Sequence, residues 1–533
     1  MEIDEYFPME KPRKYQLEVL RKVDELLESG YKLILLDAPV GFGKSAVNTA
    51  LCRKYTPSIY TTPQLSLIDQ IKNDPKLGEF YVEIKGRDNY RCIKDPFMPP
   101  IRYGMCKRVK DFPCKRFVEC PYYSQKLKAI RSDMVLMSLA YFIVDAYMEP
   151  PNFDNRSLVV IDEGHFLAED VVDHVGLEIS SRTLPKDIWK TVKDKLKNQP
   201  TEVDVELLMD ACKGFLDTVQ ISLDGGEVLS EEEVVDKDKA EEFISRADRF
   251  IRTFMVTDWI WRKINGGWKA EPVYGRLFVP DMVWSRAERF IVSSATILNP
   301  ELFVKETGAD LVWEKDEIAY VKVPSIFPPE NRPVIDYSVG RLSYDKQEEN
   351  LKPAIRALEN IIRNHPNDNI AVHFPSYELA RKVYDQIDEE IKKKIILSEP
   401  LVRDERLRQW LDEGGVFFAV AYHEGQDWKY DRCRVQVLFK TLYPDTRDPK
   451  VAWRLEKKDF QWLMHTALVK CLQAYGRAIR AEDDYMAFYV LDSAFWELLR
   501  RNWVRLPDWF KEVVPYHRLP EYVKKQRAKS KSK

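Results

Sequence analysis

Lys44 and Ser45 close the stretch Asp37-Ala38-Pro39-Val40-Gly41-Phe42-Gly43-Lys44-Ser45. Glycines in such a turn let backbone N–H groups face inward around phosphates, and a helix N-terminus adds positive potential. Lys44 would reach the β- and γ-phosphates of a nucleotide, and the Ser45 hydroxyl would hold Mg²⁺. The strict pattern has Gly where this chain has Ala38; Gly41 and Gly43 keep their places. A second group is Asp162-Glu163, at the tip of the apolar run Leu158-Val159-Val160-Ile161. In a phosphate-transferring site the first carboxylate anchors Mg²⁺ and the second orients water and accepts its proton. Far downstream, Arg477 and Arg480 are three residues apart, which on a helix puts both guanidiniums on one face. Such a pair suits the charge on a γ-phosphate in its transition state. Upstream, Arg13 and Gln16 could read adenine, since a Gln amide offers both a donor and an acceptor.

Four cysteines, Cys92, Cys106, Cys114 and Cys120, fall within 29 consecutive residues. Structural zinc sites usually contain a close Cys-x2–4-Cys pair, which is missing here; four thiolates can equally hold an iron–sulphur cluster. The spacing points to a metal site without naming the metal. The surrounding residues 85–131 carry thirteen Lys or Arg against four Asp or Glu, interleaved with aromatic rings. Basic residues track phosphates and rings stack on bases, so this stretch suits single-stranded nucleic acid. The other four cysteines are scattered and read as buried small hydrophobes.

The elements that must position these groups alternate between strand and helix. Tyr31–Leu36 reads as a strand before the loop and Ala46–Leu51 as the helix after it. Pro57–Leu65 followed by Ser66–Ile71 reads as a second strand leading into a second helix, and Met134–Ser138 is a further strand. Phe290-Ile291-Val292 leads into Ser293, Ser294 and Thr296, whose hydroxyls could couple nucleotide state to nucleic-acid contacts. The pattern resumes with Asn369–Tyr377, a strand and turn, and the strands Val416–Ala421 and Val435–Phe439 before the Gln473–Arg480 helix. Residues 170–280 read as mostly helical, and 201–250 are acidic, with fifteen Asp or Glu against five Lys or Arg.

At 533 residues the chain is too long for one core. Its 45% hydrophobic and 32% charged content describes a soluble protein with a net charge of -3. No apolar run approaches the length of a membrane span, and eight cysteines are few for a disulfide-stapled secreted protein. The acidic start Met1-Glu2-Ile3-Asp4-Glu5 lacks the order of a signal peptide, so a cytoplasmic location is expected. Lys524–Lys533 holds six Lys or Arg and reads as a disordered basic tail.

Taken together, these stretches resemble superfamily 2 helicases, most closely the XPD/DinG-like iron–sulphur group. Asp37–Ser45 resembles motif I, Asp162-Glu163-Gly164-His165 the DEAH box and Ser293–Leu298 motif III. Glu424-Gly425-Gln426-Asp427 resembles motif V and Gln473–Arg480 motif VI. Lys85–Cys92 and Cys120-Pro121-Tyr122-Tyr123 resemble the flanks of the cluster insertion. Departures are Val40 for the usual Thr, Gly164 for Ala, and Ala295 where relatives often have Gly.

The resemblance implies an α/β chain with two RecA-like domains. The first would comprise 1–84, 132–171 and 281–300, interrupted by a cluster insertion at 85–131 and a helical arch at 172–280. The second would run over 301–523. It implies ATP and Mg²⁺ as cofactors and a [4Fe-4S] cluster on Cys92, Cys106, Cys114 and Cys120, with zinc the alternative. It assigns Lys44, Asp162, Glu163, Gln473, Arg477 and Arg480 to catalysis. Gln16, Ala38, Gly41, Gly43, Lys44, Ser45 and Asp427 would bind nucleotide. The expected activity is ATP-driven translocation, 5′ to 3′, on single-stranded DNA by a monomer acting at duplex junctions in repair or replication. A nucleic-acid-stimulated ATPase that remodels without unwinding is the alternative.

Overall fold

The computed structural model describes residues 2–525 except 115–117, 149, 421–427, 429 and 480–482. Along the first part of the chain run β1 (Leu33–Asp37), β2 (Ser58–Thr62), β3 (Val82–Glu83), β4 (Met134–Ser138) and β5 (Leu158–Asp162). An insertion supplies β6 (Leu177–Ser180), β7 (Trp259–Ile264) and β8 (Gly267–Pro272), after which come β9 (Phe290–Ser294) and β10 (Ile318–Lys322). The first sheet has the order β10-β1-β9-β5-β2-β4-β3, and its pairings are parallel. A second parallel sheet is built from β11 (Val334–Gly340), β12 (Ile370–Phe374), β13 (Ile395–Leu397), β14 (Val416–Val420), β15 (Val435–Leu438) and β16 (Ala487–Asp492). Its order is β11-β16-β15-β12-β14-β13.

Parallel strands need both faces covered, and the chain meets that need with two cores per sheet. Leu33 and Leu35 of β1 face one apolar core, while Ile34 and Leu36 face another. In β12, Ala371 points to one core and Ile370 and Val372 to the other. The alternation fixes register, because a slip of one residue would exchange the faces. The structure therefore has two doubly covered α/β domains.

Two expectations need correction. The first domain does not end at residue 300, because β10 pairs with β1, Leu33 opposite Ile318 through Asp37 opposite Lys322. Half-buried Ile318–Lys322 has no strong strand pattern, and its place beside β1 comes from the sheet edge it covers. The arch is not purely helical. Its helices Glu202–Asp224 and Glu231–Thr253 each start with a capping box, Thr201 with Asp204 and Ser230 with Glu233. Beside them stands an antiparallel sheet, β6-β8-β7, whose hairpin turns at Asn265-Gly266 with Gly266 at φ +80°. Asn-Gly is the residue pair such a tight hairpin favours, so the turn was readable. The arch also touches the cysteine insertion. Arg108 Nε donates to the Leu229 carbonyl at 2.8 Å, and Lys110 meets Asp224 at 2.8 Å.

Candidate nucleotide cleft and cysteine cavity

Three adjacent strands of the first sheet end at one place. β1 delivers Asp37 and the loop after it, β9 delivers Ser293 and Ser294, and β5 delivers Asp162 and Glu163. The register sets Asp37 opposite Ser294 and Asp162 opposite Ser293. Carboxyl ends of parallel strands are where open α/β sheets take ligands.

The loop is shaped by Gly41 at φ +80° and Gly43 at φ +85°, left-handed conformations that favour glycine. Lys44 then begins the helix Lys44–Lys54. Lys44 Nζ pairs with Glu163 Oε1 at 2.5 Å. Glu163 itself is left-handed at φ +52°, a conformation that costs a non-glycine residue of order 1–3 kcal/mol. The Asp162 carboxylate accepts from the Tyr60 hydroxyl on Oδ2 at 3.0 Å. Its Oδ1 accepts from Ser293 Oγ at 3.0 Å and from the Glu163 N–H at 3.1 Å. Burial pushes the Asp162 carboxyl above its ordinary pKa, and the nearby Lys44 charge opposes that rise.

Gln16 takes a different position from the one its proposed role suggests. Its Nε2 donates to the Phe42 and Gly43 carbonyls at 3.0 and 3.2 Å, and its Oε1 accepts from the Arg13 N–H at 2.7 Å. Arg13 Nη1 donates to the Gly41 carbonyl at 2.6 Å. The pair braces the loop from beneath. A side chain on Gly43 would collide with the Gln16 amide. Ala38 is buried where β1 runs into the loop, and its N–H donates to Ser294 O at 2.9 Å.

The second domain supplies the opposite wall. Pro39, Val40, Lys44, Ser45, Asp162 and Glu163 share a cleft of about 960 Å³ with Gln473, Gly476, Arg477 and Arg432. Gly476 is needed for the contact, since a Cβ there would lie 3.0 Å from Val40 Cγ2. Gln473 Nε2 donates to Thr296 Oγ1 at 2.6 Å across the domains. From Thr296 the polar contacts run through Ser294 Oγ, 3.4 Å away, to Glu163 Oε2 at 3.2 Å and His165 Nδ1 at 2.8 Å. Sequence reasoning missed Asn48, Tyr60 and this cross-domain link, none of which carries a local sequence signal.

Arg477 needs a correction of setting. The helix Phe460–Tyr475 ends before it, with Gly476 as its C-cap, so Arg477 sits in the following turn rather than on a helix face. Its carbonyl accepts from the Trp428 N–H at 3.1 Å, which draws the chain out of helical geometry. Arg480 and Asp427 lie outside the described residues, as do the whole Glu424–Asp427 stretch and residues 526–533 of the tail.

Comparison with known proteins bears on this arrangement. The family described as Helicase C-terminal domain matches residues 358–513, and the family described as Type III restriction enzyme, res subunit matches residues 9–201. A solved XPD helicase superposes with a TM-score of 0.64 at 17% identity, covering 95% of this chain and 98% of that one. Xpd4 from S. tokodaii gives 0.54 at 18%, covering 91% and 97%. The fold is that of XPD-like superfamily 2 helicases. Among curated relatives, the regulator of telomere elongation helicase 1 of Mus musculus is 28% identical over 211 residues, 33% of this chain and 17% of that protein. The Drosophila yakuba homologue is 30% identical over 170 residues, 26% and 17% respectively. The matches span about a sixth of these relatives' length.

In this XPD-like frame, the cysteine stretch is the insertion between β3 and β4. Cys92, Cys106, Cys114 and Cys120 line one cavity of about 10 Å³ together with Ile101, Phe112 and Pro121. None of the four is joined in a disulfide. Gly104 makes the space, since a Cβ there would lie 3.1 Å from Cys92 Sγ. Burial, and then the neighbouring thiols Cys106, Cys120 and Cys92, push the Cys114 pKa up. Among the described residues no group of three His, Cys, Asp or Glu stands at metal-holding spacing. Four converging thiols in an apolar pocket nonetheless fit a tetrathiolate centre by their chemistry. No helix among the described residues is long and apolar enough to cross a membrane.

Proposed function

We propose that this chain is an ATP-hydrolysing DNA helicase that translocates 5′ to 3′ along single-stranded DNA. The observation that carries the reading is the two-walled cleft, with the Lys44 loop and the Asp162-Glu163 pair facing Gln473 and Arg477. Lys44 would leave Glu163 for the β- and γ-phosphates, and that exchange frees the Glu163 carboxylate to accept a proton from water. Ser45 and Asp162 would hold Mg²⁺, which when bound neutralises phosphate charge. Ala38, Gly41 and Gly43 would place backbone around the phosphates with Gln16 bracing that loop from beneath, and Asp427 is assigned to nucleotide binding by the family resemblance. Arg477, with Arg480, brings positive charge to the γ-phosphate, so turnover needs the walls together. The link from Gln473 through Thr296 and Ser294 to Glu163 joins closure to the proton acceptor.

Cys92, Cys106, Cys114 and Cys120 would hold a [4Fe-4S] cluster, which supplies a rigid centre for the basic insertion. Insertion and arch then act as wedge and gate at a duplex junction. Polarity, the cluster, monomeric action and a role in repair or replication within the cytoplasm rest on the family resemblance. Lys44→Ala should abolish ATPase while sparing DNA binding, and retained turnover would sink the reading. A 5′-tailed and a 3′-tailed duplex tested side by side check polarity. Unwinding of neither, with ATPase intact, favours a remodelling ATPase instead.

A further inference from the structure

Asn48 lies one turn beyond Ser45 on the helix that follows the phosphate loop, and it is fully buried. Its Nδ2 donates to two hydroxyls, Ser293 Oγ at 2.9 Å and Tyr60 at 3.4 Å. Each hydroxyl donates in turn to a different oxygen of Asp162, Ser293 to Oδ1 and Tyr60 to Oδ2, both at 3.0 Å. The result is a closed ring from one amide through two hydroxyls to one carboxylate. A carboxylate only accepts, so both hydroxyl protons must point at Asp162, and the amide N–H groups must face the hydroxyls. Packing gives no reason for an amide here. Asn48 Oδ1 is buried without a hydrogen-bond partner among the described residues, a cost that leucine would avoid.

The two carboxylate oxygens are not equivalent. Oδ1 takes two donors, since the Glu163 N–H reaches it at 3.1 Å, and two donors fill its lone pairs. Among the described residues Oδ2 takes only the Tyr60 hydroxyl. Tyr60 is rigid, fully buried and packed edge-on against Tyr81 at 5.9 Å, whose own hydroxyl donates to Thr49 at 3.0 Å.

We propose that Tyr60 and Asn48 are positioning residues for Asp162, leaving one lone pair of Oδ2 as its only outlet toward a divalent cation. The helix carrying Lys44 and Ser45 thereby also sets the aim of the carboxylate. This rests on the reading of the cleft as a Mg-nucleotide site.

The test is a Mg²⁺ titration of the full chain with a fluorescent ADP analogue, alongside binding of the same analogue in EDTA. Tyr60→Phe should raise the Mg²⁺ concentration for half-saturation about tenfold, as expected for losing one hydrogen bond to a charged group. Binding in EDTA should not change. Ser293→Ala should raise it only about threefold, because the Glu163 N–H still holds Oδ1. Asn48→Leu leaves Asp162 and both hydroxyls in place, so its shift should fall between these, and it serves if Tyr60→Phe melts early. An unchanged Mg²⁺ requirement in Tyr60→Phe and Asn48→Leu overturns the proposal. So does a larger shift for Ser293→Ala than for Tyr60→Phe. A wild-type chain that binds the analogue without regard to Mg²⁺ would instead sink the ATPase reading.

Discussion

The nucleotide wall of the first domain and the cysteine cavity are held together by opposite means. In the wall, three parallel strands end in register, and the carboxylates Asp37, Asp162 and Glu163 are each held by protein donors. Asp162 has three donors, and Lys44 and Glu163 hold each other. In the cavity, short turns and two helices, Met105–Arg108 and Pro121–Arg131, bring four thiols around a space with no protein cation among its lining side chains except Lys94. Lys94 is itself engaged by Glu119 at 2.6 Å. The wall's charged groups are held by one another; the cavity's four thiols face a shared space that the proposed metal centre would fill.

The largest expected effect separates the two regions. If the proposed metal centre is present, its removal by oxidation and chelation should loosen residues 85–131, read as faster amide exchange there. Exchange at β1, β5 and β9 should stay slow. Metal centres that organise small insertions contribute on the order of 10 kcal/mol, far above any single contact in the wall. If exchange rose equally in both regions, the cavity would not be a separate centre. Anaerobically purified protein should also show a broad visible band, and a colourless, zinc-bearing preparation would replace the cluster with zinc at the same cysteines.

Next in size is the contact between the walls. Gln473→Ala removes the donor to Thr296 and should lower kcat for ATP by about ten- to a hundredfold, with KM changed little. Steady-state ATPase with saturating single-stranded DNA checks this. An effect confined to KM would mean that Gln473 serves nucleotide binding rather than closure.

Much of the wall was legible because its elements are local. The apolar runs before Asp37 and Asp162 fold as the strands expected, and glycines mark the loop. The second domain's strands at 370–374, 416–420 and 435–438 fall inside the stretches read as strands in the sequence. What stayed hidden depends on distance along the chain. β10 becomes a strand because β1 offers an edge, not because Ile-Ala-Tyr-Val-Lys has a strong pattern. The β7–β8 hairpin carried an Asn-Gly signal, but the acidic helices before it made the whole insertion read as helical. Arg477 was placed on a helix by spacing, while Gly476 and the Trp428 contact end that helix first. The ring through Asn48, Tyr60 and Ser293 joins residues up to 245 positions apart, and no local pattern announces it.

A pH effect tests how tightly the wall is closed. Burial lifts the Asp37 carboxyl from its ordinary 3.8 to about 6, against the Tyr320 hydroxyl that donates to it at 2.6 Å. A raised pKa in the folded state means the folded chain holds the proton more tightly than the unfolded one. Asp37 therefore contributes stability below pH 3.8 that is lost as pH rises through about 6. Asp37→Asn should flatten that fall, leaving the variant more stable by up to about 3 kcal/mol at pH 7.5 and no different near pH 4. Thermal melts of both proteins across that range decide it, and parallel curves would show that Asp37 is not protonated on folding.

The smallest effect concerns the residue after Asp162 and Glu163. Gly164 stands where the DEAH motif that this stretch resembles has Ala, and the packing around it leaves no room for a Cβ. A Cβ at Gly164 would lie 2.8 Å from both Ile161 Cγ2 and Val292 Cγ1, two branched side chains fixed in β5 and β9. Neither can rotate away without opening the core beneath the carboxylates. Gly164→Ala should therefore cost about 1–3 kcal/mol, the range for overfilling a packed interior. It should also disturb Glu163, whose left-handed backbone is held by its neighbours rather than by preference. The informative control is the double variant with Val292→Ala, which removes one of the two obstructing methyls. Recovery of both the melting temperature and kcat would show that the glycine answers a packing demand made by β9. Recovery of stability without kcat would show instead that Glu163 needs the freedom of Gly164 itself.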